Sequence, residues 1–318
     1  MFSYRHAFHA GNHADVLKHA ILVHLLDHFN RKDAPYWVID THAGAGIYDL
    51  NDEWSAGKSL QQEEPARHAG SRPLAAPDEG APRGAPRQER RPEFLDGVAR
   101  LRAAGKAPDL VARYCEAIAA FNPQGGTRYY PGSPWLALES MRDRDRLRLF
   151  ELHPSEIDVL RQRLARHARG RSRQVAVLRA DGFEGIKALL PPPTRRGLVL
   201  IDPSYEDKQD YRRALTAVQE GLKRFATGCF AVWYPLVQRR EVQTLTRALE
   251  RLDTVWVNAT LQVCRPAPDG FGLHGSGMFV VNPPWTLHDS LAEALPWLVE
   301  KLRQDERAGH TLTRSARS

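Results

Sequence analysis

Two short runs hold the side chains whose types and spacing suit chemistry. Leu198-Val199-Leu200-Ile201 leads straight into Asp202-Pro203-Ser204-Tyr205. A carboxylate followed by a peptide carbonyl presents two acceptors, so both N–H bonds of one amine can be held together. That favours a pyramidal nitrogen with its lone pair aimed outward, the form in which a delocalised amine becomes a nucleophile. Pro203 restricts its own backbone and stiffens the loop, which keeps both acceptors in place. Tyr205 offers a flat ring for stacking. Upstream, Tyr36-Trp37-Val38-Ile39-Asp40 runs into Thr41-His42-Ala43-Gly44-Ala45-Gly46. A glycine turn at the carboxyl end of a strand lets the backbone approach a ligand closely. The dinucleotide fingerprint is not met, because Asp49 stands where its third glycine would be, and no phosphate-binding G-x-x-x-x-G-K-[ST] run is present.

Both runs follow the forms used by methyltransferases. Acid-x-x-x-Gly-x-Gly is the usual S-adenosylmethionine loop of Rossmann-like methyltransferases. Asp-Pro-Ser-Tyr resembles the [Asp/Asn]-Pro-Pro-[aromatic] signature of amino-group methyltransferases acting on nucleobases, with Ser204 in place of the second proline. Glu151, at the end of another apolar run, suits a pair of ribose hydroxyls. It lies far beyond the roughly 20 residues that separate such an acid from the loop in a simple unit. Asp181, in Ala180-Asp181-Gly182-Phe183, suits the amino group of a cofactor adenine and equally a helix N-cap. Asn282-Pro283-Pro284-Trp285 matches the signature better letter by letter, but it follows the last apolar strand. The catalytic strand belongs beside the cofactor strand, where the topology switches. Asp202 is therefore assigned the chemistry and Asn282 a structural turn.

The elements that must position these residues are legible as alternating patterns. A helix is expected from Asn12 to Phe29, with Asn12 as cap and Asp15 in its first turn. Strands are expected at 147–152, 174–178, 197–202 and 228–234, separated by helices at 155–167, 182–190, 211–225 and 237–252. Two further strands, 255–264 and 276–282, close the series as an antiparallel pair. Alternation with apolar strands predicts a mostly parallel, seven-stranded sheet covered by helices on both faces. Residues 52–93 contain six prolines (65, 73, 77, 82, 86 and 92) and few large apolar side chains, and read as a flexible insertion. Helical sequence follows over 94–121. The organisation read here is an arm, helix and cofactor loop at 1–46, an insertion subdomain at 47–128, the rest of the catalytic domain at 129–302, and a polar, frayed tail at 303–318.

Composition limits the class. The 318 residues are 42% hydrophobic with a formal charge of +7, and the pI of about 9.4 fits an anionic partner. No run approaches the roughly 18 apolar residues of a membrane span. The three cysteines, Cys115, Cys229 and Cys264, do not form a disulfide framework, so a reducing cytoplasm is expected. His6, His9 and His13 are not accompanied by an acid–His ligand set such as H-E-x-x-H or by a nearby Cys, and no metal is expected. The basic run Arg161, Arg163, Arg166, Arg169, Arg171 and Arg173 suits phosphates or a solvated helix face.

Several segments recur together: the arm Ser3–His19, the Asp40–Gly46 loop, Arg128-Tyr129-Tyr130-Pro131-Gly132-Ser133-Pro134, Glu151-Leu152-His153-Pro154, Ala180–Phe183, Asp202–Tyr205, Tyr234-Pro235 and Asn282–Trp285. As a set they resemble the 23S ribosomal RNA (adenine-2030-N6)-methyltransferases over almost the whole chain except 52–93 and the tail. The resemblance implies that His19, His42, Gly44, Ser133, Glu151, Asp181 and Gly182 hold S-adenosylmethionine. It implies that Asp202 is the catalytic acceptor, with Pro203 and Tyr205 beside it, that Tyr4 contacts RNA, and that Lys18 lies at the cofactor–substrate junction. The expected partner is 23S rRNA, and the expected state is a cytoplasmic monomer. Three other readings remain open at this point. They are a DNA adenine-N6 methyltransferase, a catalytically weak RNA-binding ribosome assembly factor, and a metal-dependent nucleic-acid hydrolase built on the arm histidines.

Overall fold

A computed structural model describes residues 8–51, 92–167, 170–171, 173–268 and 272–316. In chain order come α1 (His13–Asn30), β1 (Trp37–Asp40) and β2 (Ile47–Asp49). A 3-10 turn (Glu93–Asp96), α2 (Val98–Arg102), α3 (Asp109–Ala120), β3 (Tyr129–Pro131) and α4 (Ser133–Ser140) follow. The alternating part comprises β4 (Arg146–Phe150), α5 (Pro154–His167), β5 (Val175–Leu178), α6 (Gly182–Leu189), β6 (Gly197–Ile201), α7 (Gln209–Arg224), β7 (Cys229–Leu236) and α8 (Arg240–Glu250). The chain ends with β8 (Trp256–Gln262), β9 (Gly275–Val281), α9 (Leu287–Leu302) and β10 (Gly309–Arg314).

Eight strands form one sheet in the order β10-β8-β9-β7-β6-β1-β4-β5, and β2 pairs separately with β3. From β5 to β7 every neighbour is parallel, whereas β9 lies antiparallel between β7 and β8. The expected mostly parallel sheet is therefore present, with one strand more than the seven anticipated. The extra strand corrects the reading of the tail. Residues 309–314 pair antiparallel with β8 instead of fraying. Their side chains are largely exposed, so this edge strand is held by backbone hydrogen bonds and carries no apolar signal.

β1 lies between β4 and β6, with Asp40 paired to Leu149 on one side and Leu200 on the other. This adjacency brings the glycine loop and the Asp202 loop to the same sheet edge. One core layer joins α1, α4, α5 and α9 to one face of the sheet, and a second joins α6, α7 and α8 to the other. Residues Val16, Leu17, Ile21, Leu22, Leu25 and Leu26 are all buried, because α1 is covered by α3, α4 and α9 as well as by the sheet. Asn12 caps it as expected, its side chain accepting from the Ala14 and Asp15 amides at 2.9 and 3.1 Å.

Candidate active site

The carboxyl ends of β1, β4, β6 and β7 open into a cavity of about 410 Å³. Its lining includes Lys18, His19, His42, Gly44, Ser133, Glu151, Asp181, Gly182, Asp202, Pro203 and Tyr205. A pocket of this size at a topological switch point is the usual ligand site of an open α/β sheet.

One half is built around the glycine loop. Gly46 has φ +84, and a Cβ there would meet Trp135 at 2.4 Å, so this turn requires glycine. The loop is tied down by Glu151, which accepts the Gly44 amide at 2.7 Å through Oε2 and the His153 amide at 2.7 Å through Oε1. Burial pushes the Glu151 carboxyl above its ordinary value, partly offset by those amides. Asp40 accepts the Ser133 hydroxyl at 2.7 Å and the His42 amide at 3.2 Å, and burial pushes its carboxyl up to about 7. His42 is lowered to about 4 by desolvation, which outweighs Asp181, so it is neutral. The Thr41 hydroxyl donates to the Leu200 carbonyl at 3.0 Å and must therefore accept from His42 Nδ1 at 2.7 Å. The proton sits on Nδ1, and Nε2 keeps its lone pair. Asp181 caps α6 through the Phe183 amide at 3.0 Å and also pairs with Arg213, whose guanidinium lies 4.4 Å over the Phe183 ring. A Cβ on Gly182 would meet the Thr41 carbonyl at 2.1 Å, which keeps the start of α6 against the loop.

The other half centres on Asp202. Lys18 Nζ lies 2.6 Å from Asp202 Oδ2 and 2.8 Å from Asp15 Oδ1. Burial opposes the Lys18 charge most strongly, but the two carboxylates overcome it and hold the ammonium well above its usual range. Asp15 Oδ2 also accepts the Gly11 amide at 2.9 Å, where the N-terminal arm turns into α1. His19 Nδ1 is 2.6 Å from the Tyr130 hydroxyl, which is 3.0 Å from that of Tyr114.

The family model described as "Ribosomal RNA large subunit methyltransferase D, RlmJ" matches residues 84–314. Ribosomal RNA large subunit methyltransferase J of Escherichia coli (strain K12) is 41% identical over 305 residues, spanning 95% of this chain and 94% of its own. The chain belongs to this methyltransferase family. The Haemophilus influenzae protein of the same name is 39% identical over 303 residues, with 95% and 94% covered. The crystal structure of protein LPL1258 from Legionella pneumophila str. Philadelphia 1 aligns with a TM-score of 0.78 at 30% identity, covering 97% of this chain and 99% of that one.

Of the residues singled out from the methyltransferase sequence, all but Tyr4 line this one cavity. Tyr4 and His6 lie outside the described residues, as do residues 52–91 and Arg169. Tyr205 has a φ of +55 and is 2% exposed. The ring packs 4.4 Å from Tyr211 and 5.9 Å from Trp233, and its hydroxyl donates to the Trp233 carbonyl at 2.7 Å. The ring supports the loop through these contacts, and Tyr205 also contributes to the cavity lining. The loop that Ser204 leaves without its second proline is also held from outside, since Arg239 Nη1 donates to the Tyr205 carbonyl at 2.9 Å. Asn282 has the structural role expected of it: its amide nitrogen donates to the Ala226 and Gly228 carbonyls, both at 2.8 Å, and it does not line the cavity. The described arginines of the 161–173 run do not line it either.

Sequence reasoning missed Asp15, Arg213, Arg239 and Trp233. Asp15 and Lys18 were detectable as an i,i+3 pair of opposite charge on one helix. The other three reach the site through tertiary packing and leave no local signal.

Proposed function

We propose that the protein transfers a methyl group from S-adenosylmethionine to N6 of an adenosine in 23S rRNA, adenine 2030 by its family resemblance, acting as a cytoplasmic monomer. The observation that carries the reading is the placement of Asp202-Pro203 beside the Asp40–Gly46 loop at one sheet edge. S-adenosylmethionine supplies an electrophilic methyl carbon on a sulfonium. The residues present fit it: neutral His42 offers an acceptor, Glu151 a carboxylate, Gly44 and Gly182 a backbone cradle, and Asp181 a further acceptor at the α6 cap.

The catalytic residues act on the amine. Asp202 and the Pro203 carbonyl accept its two N–H bonds, which withdraws the lone pair from the ring and aims it along the line of transfer. Lys18 grips Oδ2 and fixes the orientation of the carboxylate. Asp15 shares the ammonium, so the cluster of two carboxylates and one ammonium keeps a net negative charge where a cationic nitrogen develops. The amine proton becomes acidic only after attack, and Asp202 or water takes it. An adenine must leave its stack to reach these acceptors.

The test is tritiated-methyl transfer to 23S rRNA lacking the modification, followed by nucleoside analysis, with wild type and Asp202→Ala compared. N6-methyladenosine that disappears in the variant is the expected result. Cofactor binding without turnover would instead favour an assembly factor, and transfer to DNA in preference to RNA would favour the DNA enzyme. Activity abolished by chelators and indifferent to S-adenosylmethionine would favour the hydrolase.

A further inference from the structure

The two acceptors of the proposed reaction are held by different means. Lys18 grips the Asp202 carboxylate at 2.6 Å. The Pro203 carbonyl is placed by the backbone that follows it. Ser204 comes first, exposed, where the methyltransferase signature has its second proline. Serine leaves free the φ that proline would fix. Tyr205 comes next, with φ +55. A left-handed residue other than glycine is strained and persists only where its surroundings hold it. Two bonds hold this one. The Tyr205 hydroxyl donates to the Trp233 carbonyl at 2.7 Å, and Arg239 Nη1 donates to the Tyr205 carbonyl at 2.9 Å. The first acts at the tip of the side chain, the second on the strained backbone itself. Arg239 sits in the short connection between β7 and α8, where its own amide donates to the Val237 carbonyl at 2.8 Å.

We infer that Arg239 is a positioning residue for methyl transfer: its grip on the Tyr205 carbonyl supplies the stiffness that Ser204 withholds from the loop, and so keeps the Pro203 carbonyl in register with Asp202. The inference rests on the reading of the protein as an adenine-N6 methyltransferase. A hydrogen bond from a charged donor is stronger than a neutral one, and a guanidinium keeps its charge at any working pH. Arg239 is exposed at the cavity lining, so its guanidinium would also suit an RNA phosphate. The two roles change different quantities. A phosphate contact sets RNA affinity and its salt dependence. A grip on the loop sets the rate once RNA is bound.

Arg239→Met tests this in two backgrounds, wild type and Ser204→Pro, with thermal unfolding and S-adenosylmethionine affinity measured on each protein to establish that it folds. Among the described residues the Ser204 amide donates no hydrogen bond, so proline at 204 removes none. In the wild-type background Arg239→Met is expected to lower kcat by about 3- to 30-fold, with KM for rRNA and its salt dependence little changed. In the Ser204→Pro background the same substitution is expected to cost less than about 3-fold, because the proline now holds the loop. A second readout is independent of turnover. Deuterium exchange in the peptide that follows Asp202 is expected to quicken in Arg239→Met and to be slowed again by Ser204→Pro. A loss confined to KM, with a shallower salt slope, would overturn the proposal in favour of a phosphate contact. Equal losses in the two backgrounds, or a Ser204→Pro protein that folds but is inactive, would overturn the link to Ser204. Absence of methyl transfer by wild-type protein would overturn the reaction reading, and the exchange experiment would still decide whether Arg239 holds the loop.

Discussion

The ammonium of Lys18, on α1, lies 2.6 Å from Oδ2 of Asp202, at the end of β6, across a sequence separation of 184 residues. Both side chains are largely shielded, at 5% and 13% exposure, and Asp15 completes the cluster at 1%. Removing the cation leaves two carboxylates facing each other in a desolvated space. Lys18→Met is therefore expected to cost about 3–5 kcal/mol of stability, the range for breaking a buried pair. Urea unfolding of wild type and variant measures it. A loss below about 1 kcal/mol would mean that water, and not Lys18, balances the carboxylates.

His13 predicts a pH dependence of stability. It begins α1, is 7% exposed, and its Nδ1 has no hydrogen-bond partner. Desolvation lowers its pKa to about 4 against the nearby Glu93 and Asp15 charges, from an ordinary value of 6.5. Between these values the unfolded chain binds the proton and the folded chain does not. The stability from His13 is thus present above pH 6.5 and lost as pH falls towards 4, by up to about 3 kcal/mol. Asp40, pushed up to about 7, works the other way: its contribution falls as pH rises from its ordinary 3.8 to 7. The difference between wild type and His13→Gln isolates the histidine. Parallel stability curves for the two proteins from pH 7 to 4 would show that His13 does not titrate in this way.

How much of this was legible depended on whether a residue's role was local. Apolar bursts that end in an acid marked the tips of β1, β4 and β6, because a strand buried on both faces must turn polar where it leaves the sheet. Helical spacing and an Asn cap marked α1. The tail failed because β10 buries backbone and not side chains, and Gly309–Arg314 shows no apolar alternation. The packing of Tyr205 against Tyr211 and Trp233 was not legible, because those rings reach it only through tertiary structure. The grip of Arg239 on the same loop joins β6 to the segment after β7, a relation that exists only once the strands have paired.

Two glycines with similar backbones separate close contact from conformational strain. Gly46 and Gly105 have φ +84 and +75, but a Cβ meets Trp135 at 2.4 Å at the first and nothing within 4 Å at the second. Gly105→Ala is expected to cost about 1–2 kcal/mol for the left-handed conformation alone. Gly46→Ala is expected to cost a further 1–3 kcal/mol or so from overpacking, and to weaken S-adenosylmethionine binding as the loop shifts. Thermal unfolding and calorimetric titration report the two effects. Equal losses at both positions would mean that Trp135 yields without disturbing the loop.

Asn282 closes the comparison between the two proline motifs. It adopts φ +50, which asparagine tolerates better than most residues. Its side chain accepts the Thr254 hydroxyl at 2.8 Å and donates to the Ala226 and Gly228 carbonyls, which ties the end of β9 to the turn between α7 and β7. Asn282→Ala removes all three bonds and places alanine in a left-handed backbone. At about 1 kcal/mol per hydrogen bond, the expected loss of stability is about 2–3 kcal/mol. Below the unfolding temperature, kcat and KM for methyl transfer are expected to match wild type, because Asn282 does not border the cavity. A variant that keeps its unfolding temperature but loses transfer would reverse the assignment. It would move the chemistry from Asp202-Pro203-Ser204-Tyr205 to Asn282-Pro283-Pro284-Trp285. The sheet order argues against that outcome, because β6 lies beside β1 whereas β9 is separated from it by β7 and β6.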